Sequence, residues 1–239
     1  MIPISDDNRG RRTTPVVTFA LIAINIVIFL YEVLLSEREL GRFIVEWGAV
    51  PLLVTEEGRW FTLLTCTFLH GGWLHLGGNM LFLWVFGDNV EDVMGHASYL
   101  IFYLLTGVVA SATQVFLDTT SEVPLVGASG AISGVLGAYI VLFPHGKIMS
   151  LLFIGFLFTT FMLPAWVMIG YWIVLQFIQG FLALSVSTME TGGVAFFAHI
   201  GGFIAGLALV WLFRDRDRQE AQRFARHGDI PQRRWPQRG

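Results

Sequence analysis

The chain of 239 residues is 54% hydrophobic and only 14% charged, with a net charge of −3 and a mean hydropathy of +0.64. A soluble domain of this size would carry about a quarter charged residues. That class is excluded, and a polytopic α-helical protein with the lipid bilayer as its solvent is implied, with no nucleic-acid partner. The single cysteine, Cys66, excludes an internal disulfide framework and a cysteine-cluster metal site.

Residues 1–15 are polar and hold Arg9, Arg11 and Arg12, which reads as a cytoplasmic segment with no cleavable signal. The first span is expected near Val16 to Leu35, since a helix needs about 20 apolar residues to cross a bilayer. A polar connection with Glu37, Arg38, Glu39, Arg42, Glu46, Glu56 and Glu57 follows. The second span begins near Leu74 and fades at Asp88, and the third covers about Ala97 to Leu117. Asp118 to Pro124 forms a short loop before a fourth span from about Ala128 to Phe143. The apolar stretch from Ile148 to Val186 would, at about 1.5 Å per residue, reach nearly twice the hydrocarbon thickness as one helix. Pro164 divides it, and the last span runs from Val194 to Phe213.

Charge decides the count. Three arginines precede the first span and eight follow the last (Arg214, Arg216, Arg218, Arg223, Arg226, Arg233, Arg234, Arg238). Basic flanks stay cytoplasmic, so both termini belong inside and the number of spans is even. Six spans fit, with Ile148 to Leu163 as a hydrophobic cytoplasmic-side segment, interfacial or re-entrant. The expected fold is an all-α six-transmembrane-helix bundle over residues 16–213, followed by a basic cytoplasmic tail, 214–239, without fixed structure. The compact six-span plan suits a multi-pass protein of the cell membrane, with an organelle membrane as the alternative.

Three polar clusters interrupt the apolar spans: His75-Leu76-Gly77-Gly78-Asn79, Gly127-Ala128-Ser129-Gly130 and Ala198-His199-Ile200-Gly201-Gly202. Polar side chains in hydrocarbon are expensive and mark function. With both ends inside, spans two, four and six run in the same direction, and each cluster lies within about two turns of the outer end of its span. A serine hydroxyl becomes a nucleophile when a histidine takes its proton, and Ser129 and His199 supply that pair if spans four and six touch. Gly130, Gly134 and Gly137 on one, and Gly201, Gly202 and Gly206 on the other, permit close approach. No carboxylate flanks His199, so the arrangement reads as a dyad. His75 and Asn79, four apart on one helix face, offer two donors to an oxyanion. The Ser129 amide at a helix N-terminus offers a third, and Gly127 allows the tight turn before it.

Together these motifs resemble the rhomboid family of intramembrane serine proteases, over about Val16 to Phe213. The resemblance implies a six-helix rhomboid-like bundle that cleaves single-span transmembrane protein substrates near the outer face, with no cofactor and no metal. It implies Ser129 as nucleophile, His199 as base, and His75, Asn79 and the Ser129 amide as oxyanion donors, with Gly127 and His70 in support. His70, in Leu69-His70-Gly71-Gly72-Trp73, is expected to bond within the first loop. Two positions depart from the family pattern. Trp60-Phe61-Thr62 stands where the family often has Trp-Arg, and Ser133 replaces a tyrosine that in some members stacks on the catalytic histidine. His199 must then be held by other aromatics or by the glycine-rich contact.

Other readings are weaker. A zinc protease would want His-Glu-x-x-His, which is absent, and a hydrolase elbow would want glycine where Ala131 stands. A transporter would show repeats with broken helices. The remaining alternative is a catalytically silent relative that binds transmembrane helices. Trp73, Trp84, Trp166 and Trp172 read as lipid-facing anchors. His96 and His145 read as interfacial, His227 as part of the tail, and Ser185 to Gly193 as a loop able to cover the site.

Overall fold

The computed structural model describes residues 1–154, 157–183 and 196–227. In chain order the elements are β1 (Ile2–Asp6), α1 (Val16–Leu34), α2 (Glu37–Trp47), α3 (Pro51–Glu57), α4 (Thr62–Thr65) and a single 3-10 turn (Cys66–Phe68). Then come α5 (Trp73–Met94), α6 (His96–Leu117), α7 (Ser129–Leu142), β2 (Lys147–Ile154), β3 (Leu157–Pro164), α8 (Ala165–Ala183), α9 (Phe196–Phe213) and α10 (Arg216–His227). Among the described residues, α1, α6 and α9 are long and apolar enough to cross a membrane, and α7 and the first part of α8 are shorter apolar helices. The chain is thus a mostly helical membrane protein.

The elements start and stop for local reasons. At the start of α2 the Glu39 carboxylate accepts from both the backbone N–H and the hydroxyl of Ser36, a reciprocal N-terminal cap. Pro51 opens α3, and Gly58, in the left-handed region at φ 69°, closes it. Helix α7 is the hub. From Gly130 to Tyr139 every residue is buried, against α5, α6, α8 and α9. The seams are built from small residues. Gly130 faces Ala110 of α6 and Gly202 of α9, Gly134 faces Thr106 and Gly206, and Gly137 faces the backbone of Phe203. With hydrocarbon outside, close backbone packing of this kind replaces water-driven association.

Three expectations need correction. The chain is not all-α: β1 pairs antiparallel with β2, and β2 with β3, with Ile2 opposite Leu151, Asp6 opposite Ile148 and Ser150 opposite Phe161. The apolar segment after α7 is therefore a hairpin of β2 and β3. Second, the helix of span two does not stop where its apolar run fades at Asp88. Helix α5 continues to Met94 because its carboxylates are answered internally. Fully buried Glu91 accepts from the Val17 and Thr18 amides at 2.9 and 2.8 Å, from the Thr18 hydroxyl at 2.7 Å and from His96 Nδ1 at 2.6 Å. Asp88 pairs with Arg11, and Asp92 accepts from the Arg12 and Thr13 amides and from Gln222. Third, part of the basic tail is ordered. Helix α10 lays Gln219 and Arg223 on the last carbonyls of α7 and reaches Asn89 through Arg226. His227 is the last residue of that helix. The Ser185 to Gly193 loop lies outside the described residues.

Candidate active site

Ser129 is the first residue of α7 and His199 lies in the first turn of α9, and the glycine seam brings those two ends together. His199 Nε2 accepts a hydrogen bond from Ser129 Oγ at 2.7 Å. On the other side of the ring, Nδ1 donates to Gln176 Oε1 at 2.7 Å. A carbonyl oxygen only accepts, so Nδ1 carries the proton and the Nε2 lone pair faces the serine. Trp172, one turn before Gln176 on α8, packs on the imidazole with ring centroids 5.8 Å apart. Ser133 uses its hydroxyl locally, donating to the Ser129 carbonyl at 2.6 Å.

The donors expected for an oxyanion gather over Gly127. This residue sits at φ 126°, where a side chain would be strained, and its N–H is pinned to the Cys66 carbonyl at 2.8 Å. A Cβ at 127 would stand 2.7 Å from His75 Nε2 and 3.7 Å from Asn79 Nδ2. The absent side chain thus opens the space in which those two nitrogens point toward the chain just before the nucleophile. The Gly71 amide donates to His75 Nδ1 at 3.3 Å, which leaves the His75 proton on Nε2, facing that space. Asn79 Nδ2 donates one hydrogen to His70 Nε2 at 3.0 Å and keeps its second. As the first helical residue, Ser129 has no acceptor within α7 for its own N–H. On the same helix, Gly77 and Gly78 face open space among the described residues.

The candidate site residues Ser129, His199, His75, Asn79, Gly127 and His70 lie in this region, with adjustments. His70 interacts with the Phe68 backbone of its own loop, as expected, and also bonds across to Asn79 of α5, while its amide faces the buried Glu32 carboxylate. In the first loop an arginine, Arg59, stands one position before the tryptophan. Arg59 Nη2 donates to the Glu46 carbonyl at 2.6 Å and ties the end of α2 to the turn before α4. Trp73, Trp84 and Trp166 are more than half exposed, as lipid anchors would be. Trp172 is the exception, because it holds His199. Gln176 is the larger omission. Its signal was a glutamine inside the apolar run Ala165–Ala183, four residues after a tryptophan and hence on the same helix face.

Comparison with known proteins places this architecture. A family model for the rhomboid domain matches residues 57–216. Rhomboid protease GluP of Bacillus subtilis is 33% identical over 193 residues, 80% of this chain and 34% of that protein. Rhomboid protein 1, mitochondrial, of Saccharomyces cerevisiae is 28% identical over 210 residues, 86% of this chain and 55% of that protein. The human presenilin-associated rhomboid-like protein, mitochondrial, is 26% identical over 223 residues, 86% of this chain and 51% of that protein. The chain therefore spans between about a third and about half of the length of these relatives.

Proposed function

The chain belongs to the rhomboid family, and from that premise we propose that it is an active intramembrane serine endopeptidase. The observation that carries the reading is the 2.7 Å bond from Ser129 Oγ to His199 Nε2, with the imidazole proton held on the far nitrogen. His199 takes the hydroxyl proton as Ser129 Oγ attacks the scissile carbonyl. The resulting oxyanion is held by His75 Nε2–H, Asn79 Nδ2–H and the Ser129 amide. Collapse breaks the C–N bond, and the imidazolium gives its proton to the leaving amine. Water then hydrolyses the Ser129 ester with His199 again as base, and the serine is restored.

We extend the proposal to topology: six spans over residues 16–213, with residues 1–15 and 214–239 both cytoplasmic. Three features support it. Arg12 and Thr13, before α1, and Gln222 of α10, after α9, bond the same Asp92 at one end of α5. His75 and Asn79 lie at the opposite end of α5, with Ser129 and His199 at the matching ends of α7 and α9. Helix α7 has 14 residues and reaches only about 21 Å, less than the roughly 30 Å of hydrocarbon, so a recessed serine follows if its other end is level with the membrane surface. Substrates would be single-span membrane proteins cut near the outer face, and the membrane would be the cell membrane.

Fluorophosphonate labelling of the detergent-solubilised protein tests the chemistry without knowledge of the substrate. Labelling should be lost in Ser129→Ala and in His199→Ala. A folded parent that is not labelled, in detergent or in liposomes, would overturn the enzymatic reading in favour of a silent helix-binding relative.

A further inference from the structure

We propose that Gln176 is the positioning residue of His199: from α8 it fixes the tautomer and orientation of the base, while Trp172 one turn earlier holds the face of the ring. The role rests on the proteolytic reading above and completes it. A neutral imidazole has two tautomers, and one of them puts N–H against Ser129 and leaves no base. Gln176 Oε1, at 2.7 Å from Nδ1, is an acceptor placed where only the productive tautomer has a proton to give. The ring is gripped from three helices. Ser129 comes from α7, Gln176 and Trp172 come from α8, and His199 itself from α9.

An amide suits this place better than the carboxylate of water-soluble serine proteases. Gln176 is only 9% exposed, and an unpaired ionised carboxylate there would have to be desolvated at high cost. The amide oxygen orients the ring without a resting charge. When His199 takes the serine proton, the Nδ1–H bond to the amide becomes charge-assisted and strengthens in step with the reaction. Among the described residues, the titratable group close to His199 is His75 of α5, and the partners from α7 and α8 are the neutral Ser129 and Gln176.

The test compares the parent with Gln176→Leu and Gln176→Glu in liposomes. It reads kcat and KM on a transmembrane reporter, the rate of fluorophosphonate labelling and the pH profile of kcat. Gln179→Leu, an exposed glutamine one turn on, serves as the control. Loss of the carboxylate acceptor's function in a Ser-His-Asp triad costs about 10⁴-fold. A neutral amide contributes less, so Gln176→Leu should lower kcat and labelling about 10- to 100-fold with KM within about twofold. Gln176→Glu, whose carboxylate is not left unpaired because it forms an ion pair with protonated His199, should retain most of the activity and move the acidic limb of the profile to higher pH. Gln176→Leu with the turnover of Gln179→Leu, or Gln176→Glu with an unmoved pH profile, would overturn the positioning role. Should Gln176→Leu fail to fold, the pH profile of Gln176→Glu still decides. A parent that does not label at Ser129 is a different failure, which overturns the proteolytic reading itself.

Discussion

The glycine seam between α7 and α9 makes a quantitative claim about catalysis that Gly206→Ala can test. A Cβ at position 206 would stand 2.7 Å from both the Cα and the carbonyl carbon of Gly134, and nearer still to its oxygen. Ordinary contact begins at 3.4 Å, and the opposing atoms are backbone, so the helices must part by about 0.7 Å or more. His199 lies two turns nearer the start of the same helix. A parting carried that far would open its 2.7 Å bond to Ser129 to about 3.4 Å, beyond useful hydrogen-bond range. Misplacement of about 1 Å costs on the order of 100-fold in rate. Stability should move less. Overpacking costs about 1–3 kcal/mol, and exchanging glycine for alanine in a helix returns up to about 1 kcal/mol. The assay is reporter turnover and fluorophosphonate labelling in liposomes, with thermal unfolding measured in the same preparation. Gly170→Ala on α8, where a Cβ meets nothing within 4 Å, is the reference. If Gly206→Ala turned over as fast as Gly170→Ala, the seam would not be what sets the Ser129–His199 distance.

Two further outcomes follow from particular groups. Asn79→Ala removes one oxyanion donor and should lower kcat about 100- to 1,000-fold at nearly unchanged KM, and a loss confined to KM would argue that Asn79 binds substrate rather than the transition state. Burial, reinforced by the neighbouring Asp88 charge, pushes Asp6 up to about 7 despite its bonds from Tyr139 and Asn89 and the nearby Arg226. A carboxyl raised on folding contributes stability that is complete below about pH 4 and lost as pH rises through about 7. Thermal stability should therefore decline from pH 4 to 7 more steeply in the parent than in Asp6→Asn, and equal slopes in the two would remove Asp6 from the account.

The candidate site residues were legible because each stands out against hydrocarbon: Ser129, His199, His75 and Asn79 are polar at the matching ends of three apolar runs. What was missed is non-local. Glu91 and Asp92 look like the exit from a span, and nothing near them in sequence announces that the Val17, Thr18 and Thr13 amides supply their donors. The hairpin over Lys147–Pro164 is apolar on both faces, so it lacks the alternation that marks a strand, and its outer partner is Ile2–Asp6, more than a hundred residues away. Thr159, Thr160 and Phe161 were a compositional hint of strand, but Pro164 only fixed where the next helix begins. Helix α10 is too charged to read as a packed element, and it is held by what it caps. Gln176 was overlooked because a glutamine in an apolar run that also holds Gln179 has no motif around it, and its partner lies on another helix.

In helix α7 the two ends are treated differently. Every helix leaves unpaired carbonyls at its C-terminus and unpaired N–H groups at its N-terminus, both costly in apolar surroundings. At the C-terminus of α7 the Leu142 carbonyl accepts from Gln219 Nε2 at 3.3 Å and from Arg223 Nη2 at 2.9 Å, and a cation there also suits the helix dipole. At the N-terminus the Ser129 amide has no partner within the helix, and it is the donor proposed above to join His75 and Asn79. Satisfying the carbonyls and leaving the amides free aims the helix at an anion. The two ends should therefore dissociate experimentally. Arg223→Ala should lower thermal stability by about 1–2 kcal/mol, a modest loss because Arg223 is exposed, while leaving the labelling rate per folded molecule unchanged. Asn79→Ala should do the reverse, and a labelling rate that fell in Arg223→Ala as far as in Asn79→Ala would show that the cap at one end of α7 also sets the geometry at the other.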